Sequence, residues 1–184
     1  SEEKQNVKNA LARKLEGALS WGFFSDKGKT IEDIIEPGKM IVLDFSGAGE
    51  LPWNVRITLT AILAKKMYSK RAFARSKEEI RRIERGEIEL MGIPLIWLFL
   101  DEAHIFVPTE HSTAATEPIL EWVRQGRRPG LSLVLATQQP GALDPRVLSQ
   151  CDFLIIHRLT AGTDSQAIGS RISEIHGAKS VVHY

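Results

Sequence analysis

Cysteine is almost missing from this chain: Cys151 is the single one. One thiol excludes an internal disulfide framework and fits a reducing cytoplasm. Its simplest role is that of a small buried residue at a strand start. Net charge is missing too. The 24 Lys and Arg stand against 23 Asp and Glu, a formal charge of +1, so any nucleic-acid surface has to come from local clustering. No apolar run approaches the length of a bilayer span, and the start has no signal-peptide pattern. Internal repeats and low-complexity tracts are lacking. The five histidines, at 104, 111, 157, 176 and 183, have no zinc-type spacing with Cys. What remains is a chain of 184 residues, 43% hydrophobic, enough for one domain with a sizeable core.

The chain alternates helical and strand patterns. Glu3 to Ser20 reads as a helix, with Val7, Ala10, Leu11, Leu15, Ala18 and Leu19 near one stripe. Met40 to Phe45 reads as a buried strand. Trp53 to Arg85 is a long helical pattern, with a break expected near Ser76, where Ser76-Lys77-Glu78-Glu79 has the form of a capping box. Its charge run, from Lys65 to Arg85, is interleaved with Glu78, Glu79 and Glu84 and reads as a solvated face with i,i+4 pairs. A strand follows at Leu95 to Leu100 and a helix at Thr116 to Gln125. Then come a strand at Leu131 to Ala136, a helical turn at Asp144 to Ser149, a strand at Phe153 to His157, and a helix at Thr163 to Ile175 capped by Thr163 or Asp164. Strands alternating with helices imply βαβ units and a parallel sheet.

Chemistry concentrates at Leu95-Ile96-Trp97-Leu98-Phe99-Leu100-Asp101-Glu102-Ala103-His104. Six apolar residues run straight into two carboxylates. Such a run reads as a strand buried on both faces. Ligands of open α/β sheets bind beyond the carboxyl ends of the strands, which is where Asp101 and Glu102 fall. This is the Walker B pattern of nucleotide-hydrolysing P-loop proteins. In it the first acid, Asp101, holds Mg²⁺ and the second, Glu102, polarises the attacking water. The competing reading is a strand end whose acids cap the next helix. About thirty residues on, the Leu131 strand ends in Thr137-Gln138-Gln139-Pro140. The amide of Gln138 can donate to a phosphate oxygen and accept from a water, or simply satisfy loop backbone.

The combination of LFLDEAH, GRRPGLSLVLATQQP and CDFLIIHRLT resembles the HerA/FtsK superfamily of hexameric DNA-pumping ATPases, more closely its HerA branch, common in archaea. The segment Ile31 to Gly47, with Pro37-Gly38-Lys39 leading into Ile41-Val42-Leu43-Asp44-Phe45-Ser46-Gly47, resembles the strand before Walker B in HerA-type proteins. The resemblance covers roughly residues 31 to 170. It implies a RecA-like, P-loop α/β fold of three layers with a mainly parallel sheet. Residues 1–30 would be a helical lead-in, and 31–184 the C-terminal part of the ATPase domain.

One departure stands against these matches. The family uses a phosphate loop, G-x-x-x-x-G-K-[ST], and none is present. The nearest stretch, Gly22 to Thr30, has five residues between its glycines and opens no helix behind Gly28-Lys29-Thr30, so it reads as a decoy. The chain is therefore expected to be a piece of a longer ATPase whose loop lies upstream, or else a degenerate member. The segment Arg124-Gln125-Gly126-Arg127-Arg128-Pro129-Gly130 places three arginines on a Gly/Pro loop. By resemblance Arg127, with Arg128 or Arg124 as fallback, corresponds to an arginine supplied in trans to a neighbouring subunit's γ-phosphate; ordinary surface ion pairing is the alternative.

The resemblance implies ATP and Mg²⁺ as cofactors, duplex DNA and a homo-hexameric ring as partners, and DNA end processing with a nuclease partner. Two other readings stay open. The letters DEAH suggest a DEAH-box helicase, although no S-A-T motif follows. A non-hydrolysing RecA-like module for assembly or binding is the third.

Overall fold

The computed structural model describes residues 2–19, 26–45, 51–157, 162, 164–166, 168 and 169. The chain divides into two compact units, residues 1–56 and 57–184.

The first unit contains α1 (Glu2–Leu19) and the single turn α2 (Ile31–Ile34). In α1 the apolar row Val7, Leu11, Leu15 and Leu19, spaced by four, is exposed. The start of α2 corrects the expectation that Gly28-Lys29-Thr30 opens no helix. Thr30 is its N-cap, within a capping box closed by Asp33. Thr30 N–H and Oγ1 both donate to Asp33 Oδ2, at 2.8 and 2.7 Å, and these bonds hold the Asp33 carboxyl below its usual range. A carboxylate already occupies this helix start, so the turn offers no cradle for a phosphate. Met40 to Phe45 joins no ladder among the described residues and is largely solvent-exposed, Met40 by 90%. An apolar run becomes a strand only when a neighbour takes up its backbone groups.

The long helix α3 (Trp53–Arg85) runs unbroken through 33 residues. The break expected at Ser76 does not occur. Ser76 Oγ donates back to the Ala72 carbonyl at 3.2 Å, inside the helix, while the Glu79 carboxylate pairs with Arg75 and Arg128 instead of capping. Gly86, at φ 71°, ends the helix in the left-handed conformation that glycine adopts without steric cost. The buried stripe Thr60, Ala64, Met67, Arg71, Ala74 and Glu78 repeats every three or four residues. It corrects the reading of the charge run as a purely solvated face, because Arg71 is 0% exposed. Its guanidinium forms a bidentate pair with Glu78, at 2.7 and 2.8 Å. Glu78 Oε1 also accepts from Met91 N–H at 2.9 Å, and Arg71 Nη1 donates to the Ile93 carbonyl. This pair therefore holds the segment that leads into the first strand.

That strand, β1 (Ile96–Leu100), pairs in parallel with β2 (Leu131–Leu135), Ile96 opposite Leu131 and Leu100 opposite Leu135. Between them lie the single turn α4 (Ala103–Phe106) and α5 (Thr116–Gln125). Helix α5 has the bounds expected from the sequence and buries Ile119, Leu120 and Trp122. Its entrance is tied by Thr113, whose N–H donates to Thr116 Oγ1 and whose hydroxyl donates to the Phe106 carbonyl. The expectation that β1 is buried on both faces is not met. Ile96 and Leu100 are buried, but Trp97 and Phe99 stack on each other, centroids 6.4 Å apart, on an exposed face.

After β2 a 3-10 turn (Pro140–Ala142) and α6 (Pro145–Leu148) follow, the latter within the helical turn expected at Asp144 to Ser149 and capped by Asp144. Phe153 to His157 forms no ladder with any described residue, and Phe153 is 91% exposed. The closing helix expected at Thr163 to Ile175 lies mostly outside the described residues. Asp164 sits within a helical stretch and is not its cap; its Oδ1 accepts from Gly141 N–H at 2.8 Å.

Burial raises the Glu78 pKa, but hydrogen bonds from Arg71 and Met91 N–H outweigh it and hold the carboxyl below its usual range. A depressed carboxyl contributes stability that is present above its unfolded pKa and is lost as pH falls through the folded value. Arg71→Ala leaves Glu78 buried without its partner and should cost about 3–5 kcal/mol at neutral pH. Urea unfolding of the chain at pH 7 and in acid checks this: the deficit should shrink as pH falls, because the unpaired Glu78 of the variant takes up a proton before the paired one does.

Candidate functional site

The site forms where β1 and β2 end. The parallel pairing continues one step past both strands, with Ala136 N–H donating to the Leu100 carbonyl and Ala103 N–H to the Ala136 carbonyl, both at 2.9 Å. Asp101 and Glu102 on one side therefore lie level with Thr137 and Gln138 on the other. Between strand and helix only two residues make the turn. Glu102 makes it in the left-handed conformation, φ 48° and ψ 47°, and is the only non-glycine residue at positive φ among those described. A glutamate held there is strained, and such strain gathers at functional sites.

Two side chains singled out in the sequence meet directly: Gln138 Nε2 donates to Glu102 Oε1 at 2.9 Å. The other carboxylate oxygen, Glu102 Oε2, is buried and accepts no hydrogen bond among the described residues. Asp101 is exposed, and its Oδ1 accepts from Glu102 N–H at 2.9 Å. A lone exposed carboxylate suits a hard cation that takes its remaining oxygens from phosphate and water, as Mg²⁺ does. Among the described residues no group of three His, Cys, Asp or Glu side chains could hold a metal by itself.

Two further residues belong here that sequence reasoning passed over. His104, on α4, has Nδ1 2.9 Å from Thr137 Oγ1 and 3.5 Å from Glu102 Oε2. Thr137 Oγ1 also accepts from Gln139 N–H at 3.0 Å. His104 and Thr137 are 33 positions apart, so no local spacing links them; only the strand register does. The available signal was weak: each adjoins a residue already chosen.

The arginines stand elsewhere. Arg127 and Arg128 precede β2, whereas Gln138 follows it. Five strand residues at about 3.3 Å each put the two groups on the order of 15 Å apart. Arg128 binds Glu79 at 2.8 Å, and that bond lowers the Glu79 pKa. Arg127 is exposed and forms no ion pair with a described residue. Arg124, in the last turn of α5, lines a shallow depression of about 310 Å³ with Lys65, Glu117 and Glu121. Gly130, at φ 84°, closes the loop; a side chain there would run into Leu95.

No protein-family model matches the chain. Among curated proteins it is similar to a probable DNA double-strand break repair helicase HerA of Methanocaldococcus jannaschii, 30% identical over 88% of this chain and 33% of that protein. The HerA helicase of Pyrococcus furiosus is 27% identical over 73% of the chain and 26% of its own length. That of Saccharolobus solfataricus is 26% identical over 91% and 31%. The chain spans about a third of the length of the curated relatives it matches.

The backbone at Glu102 yields a test of the site's strain. Glycine adopts this conformation freely, so Glu102→Gly should leave stability unchanged or raise it by up to about 1 kcal/mol, despite the lost Gln138 contact. Glu102→Val, β-branched, should lower it by about 1–3 kcal/mol. Urea midpoints of the two variants measure the difference, and a larger loss for the glycine variant would contradict it.

Proposed function

We propose, from a chain that is HerA-like along most of its length, that it forms the Walker B half of a RecA-like ATPase domain in a ring-shaped DNA translocase or helicase. The single observation that carries this reading is the contact between Gln138 and Glu102 at the ends of two parallel strands. It joins a strained carboxylate to a neutral amide at the sheet position where α/β proteins bind ligands. The relatives' names, DNA double-strand break repair helicase, support duplex DNA as the substrate and repair as the setting.

In this reading each residue has one task. Asp101 supplies a carboxylate oxygen for a Mg²⁺ that neutralises the triphosphate when bound. Glu102 accepts a proton from the attacking water through Oε1, the oxygen that Gln138 holds in the free chain. Gln138 can exchange that bond for one to a γ-phosphate oxygen, and so both senses nucleotide and releases Glu102. Arg127, exposed, without an ion pair among the described residues and at the far end of β2 from Gln138, serves a neighbouring subunit in this reading. Arg128 is engaged by Glu79 and is the weaker candidate. These 184 residues hold no G-x-x-x-x-G-K-[ST] loop, so this reading requires one supplied from elsewhere in the complete protein. A nuclease partner for DNA end processing fits the repair setting.

The test is ATP hydrolysis by the complete natural protein, with and without duplex DNA. Glu102→Gln should lower DNA-stimulated turnover by roughly 10²–10⁴-fold. Arg127→Ala should lower it by about 10³-fold or more while ATP affinity stays nearly intact. Hydrolysis that survives Glu102→Gln would overturn the assignment of the base. Full activity of Arg127→Ala would remove the trans arginine from the account.

A further inference from the structure

We propose that His104 is the positioning residue of this site. Through Thr137 it ties the two strand ends together, and it directs the Glu102 carboxylate by holding Oε2. The proposal rests on the reading of Glu102 as the base.

Three observations carry it. Glu102 Oε1 is taken by Gln138, whereas Oε2 is buried and accepts nothing among the described residues. A carboxylate oxygen can only accept, so a donor beside it has a vacant place to fill. The ring nitrogen His104 Nδ1 stands 3.5 Å away, just beyond hydrogen-bond length, and 2.9 Å from Thr137 Oγ1. Finally, Thr137 Oγ1 already accepts from Gln139 N–H, so one lone pair and the hydroxyl proton remain.

We assign the proton to Nδ1. If Nδ1 were the acceptor, its lone pair would face a carboxylate oxygen across 3.5 Å, and Oε2 would stay orphaned. With the proton on Nδ1, the N–H donates to the free lone pair of Thr137 and points to Oε2 after a small shift. His104 and Gln138 then grip the two oxygens of one carboxylate from the two sides. When Gln138 turns toward a phosphate, Oε1 is freed to receive a proton, and His104 keeps Oε2 in place. Glu102 therefore keeps its direction at the step where it is needed. His104 touches neither water nor nucleotide in this arrangement; it acts through Glu102.

Steady-state ATP hydrolysis by the complete natural protein tests this, with kcat and KM read separately. His104→Ala should lower kcat roughly 10–100-fold, the usual loss when a group that orients a reacting residue is removed. KM for ATP should stay within about twofold, because no ground-state contact is lost. His104→Asn should recover most of the loss, since its amide N–H falls near the place of Nδ1. His104→Gln, whose amide falls near Nε2, should not. Thr137→Val should also lower kcat, and adding it to His104→Ala should cost little more. Unchanged kcat in His104→Ala overturns the proposal, as does equal activity of the Asn and Gln variants. The latter comparison decides the matter even if the alanine variant fails to fold. Glu102→Gln, assayed in parallel, separates the two ideas. An inactive Glu102→Gln beside a fully active His104→Ala sinks this proposal alone; an active Glu102→Gln brings down the underlying reading with it.

Discussion

Two backbone hydrogen bonds hold the site together: Ala136 N–H to the Leu100 carbonyl and Ala103 N–H to the Ala136 carbonyl. They carry the parallel pairing past the ends of both strands, so that two turns, 36 residues apart in sequence, become neighbours. Side chains alternate along a strand, and a slip by one residue would send every one of them to the other face. The contacts Glu102–Gln138 and His104–Thr137 exist only in the observed register. The strain at Glu102 follows from the same constraint. The chain must leave β1, present a carboxylate and start α4 within two residues while Ala103 N–H stays on the ladder.

The opposite end of the sheet depends on a different joint. A two-stranded sheet is marginal by itself, and here α5 packs against β2 while α3 secures the approach to β1. The joint is the buried pair of Arg71 and Glu78, whose spare hydrogen-bonding capacity reaches the backbone of Met91 and Ile93. Such pairs add little net stability because desolvating both charges is costly, but their geometry is exacting and breaking them is expensive. The pair therefore acts as a fixed anchor for the segment entering the strand. Nearby, Arg128 reaches back to Glu79 on the same helix, whereas Arg127 forms no ion pair with a described residue.

Chemistry is thus split along the length of β2. Carboxylates and amide gather at its carboxyl end, and the arginine loop lies at its amino end. Under the proposed function, a subunit arranged in this way cannot complete its own site, and a ring in which each subunit's arginine meets its neighbour's nucleotide would follow from the separation.

Much of this was legible in the chain. The apolar runs at Leu95 and Leu131, the helix at Thr116 to Gln125 and the turn at Asp144 to Ser149 are local, and local patterns name elements. Asp101, Glu102 and Gln138 stood out because polar residues at the end of an apolar strand fall where ligands bind. Other readings failed where the deciding partner was distant. Ser76 has the letters of a cap, yet the buried stripe through Ala74 and Glu78 keeps α3 continuous. Arg71 is hidden in a charge run, although its three-and-four spacing from Ala64, Met67, Ala74 and Glu78 marked the buried face. Met40 to Phe45 and Phe153 to His157 have strand composition, but strands are made by neighbours. By itself, then, the sequence determined the helices at Thr116 to Gln125 and along Trp53 to Arg85 and the two apolar runs that end in polar residues, because propensity and periodicity act within a few residues. Only the tertiary structure decided that Gln138 holds Glu102, that His104 meets Thr137, that Arg71 is buried and that one face of β1 is open. Those depend on strand register and helix docking, where residues far apart in the chain satisfy each other's hydrogen bonds.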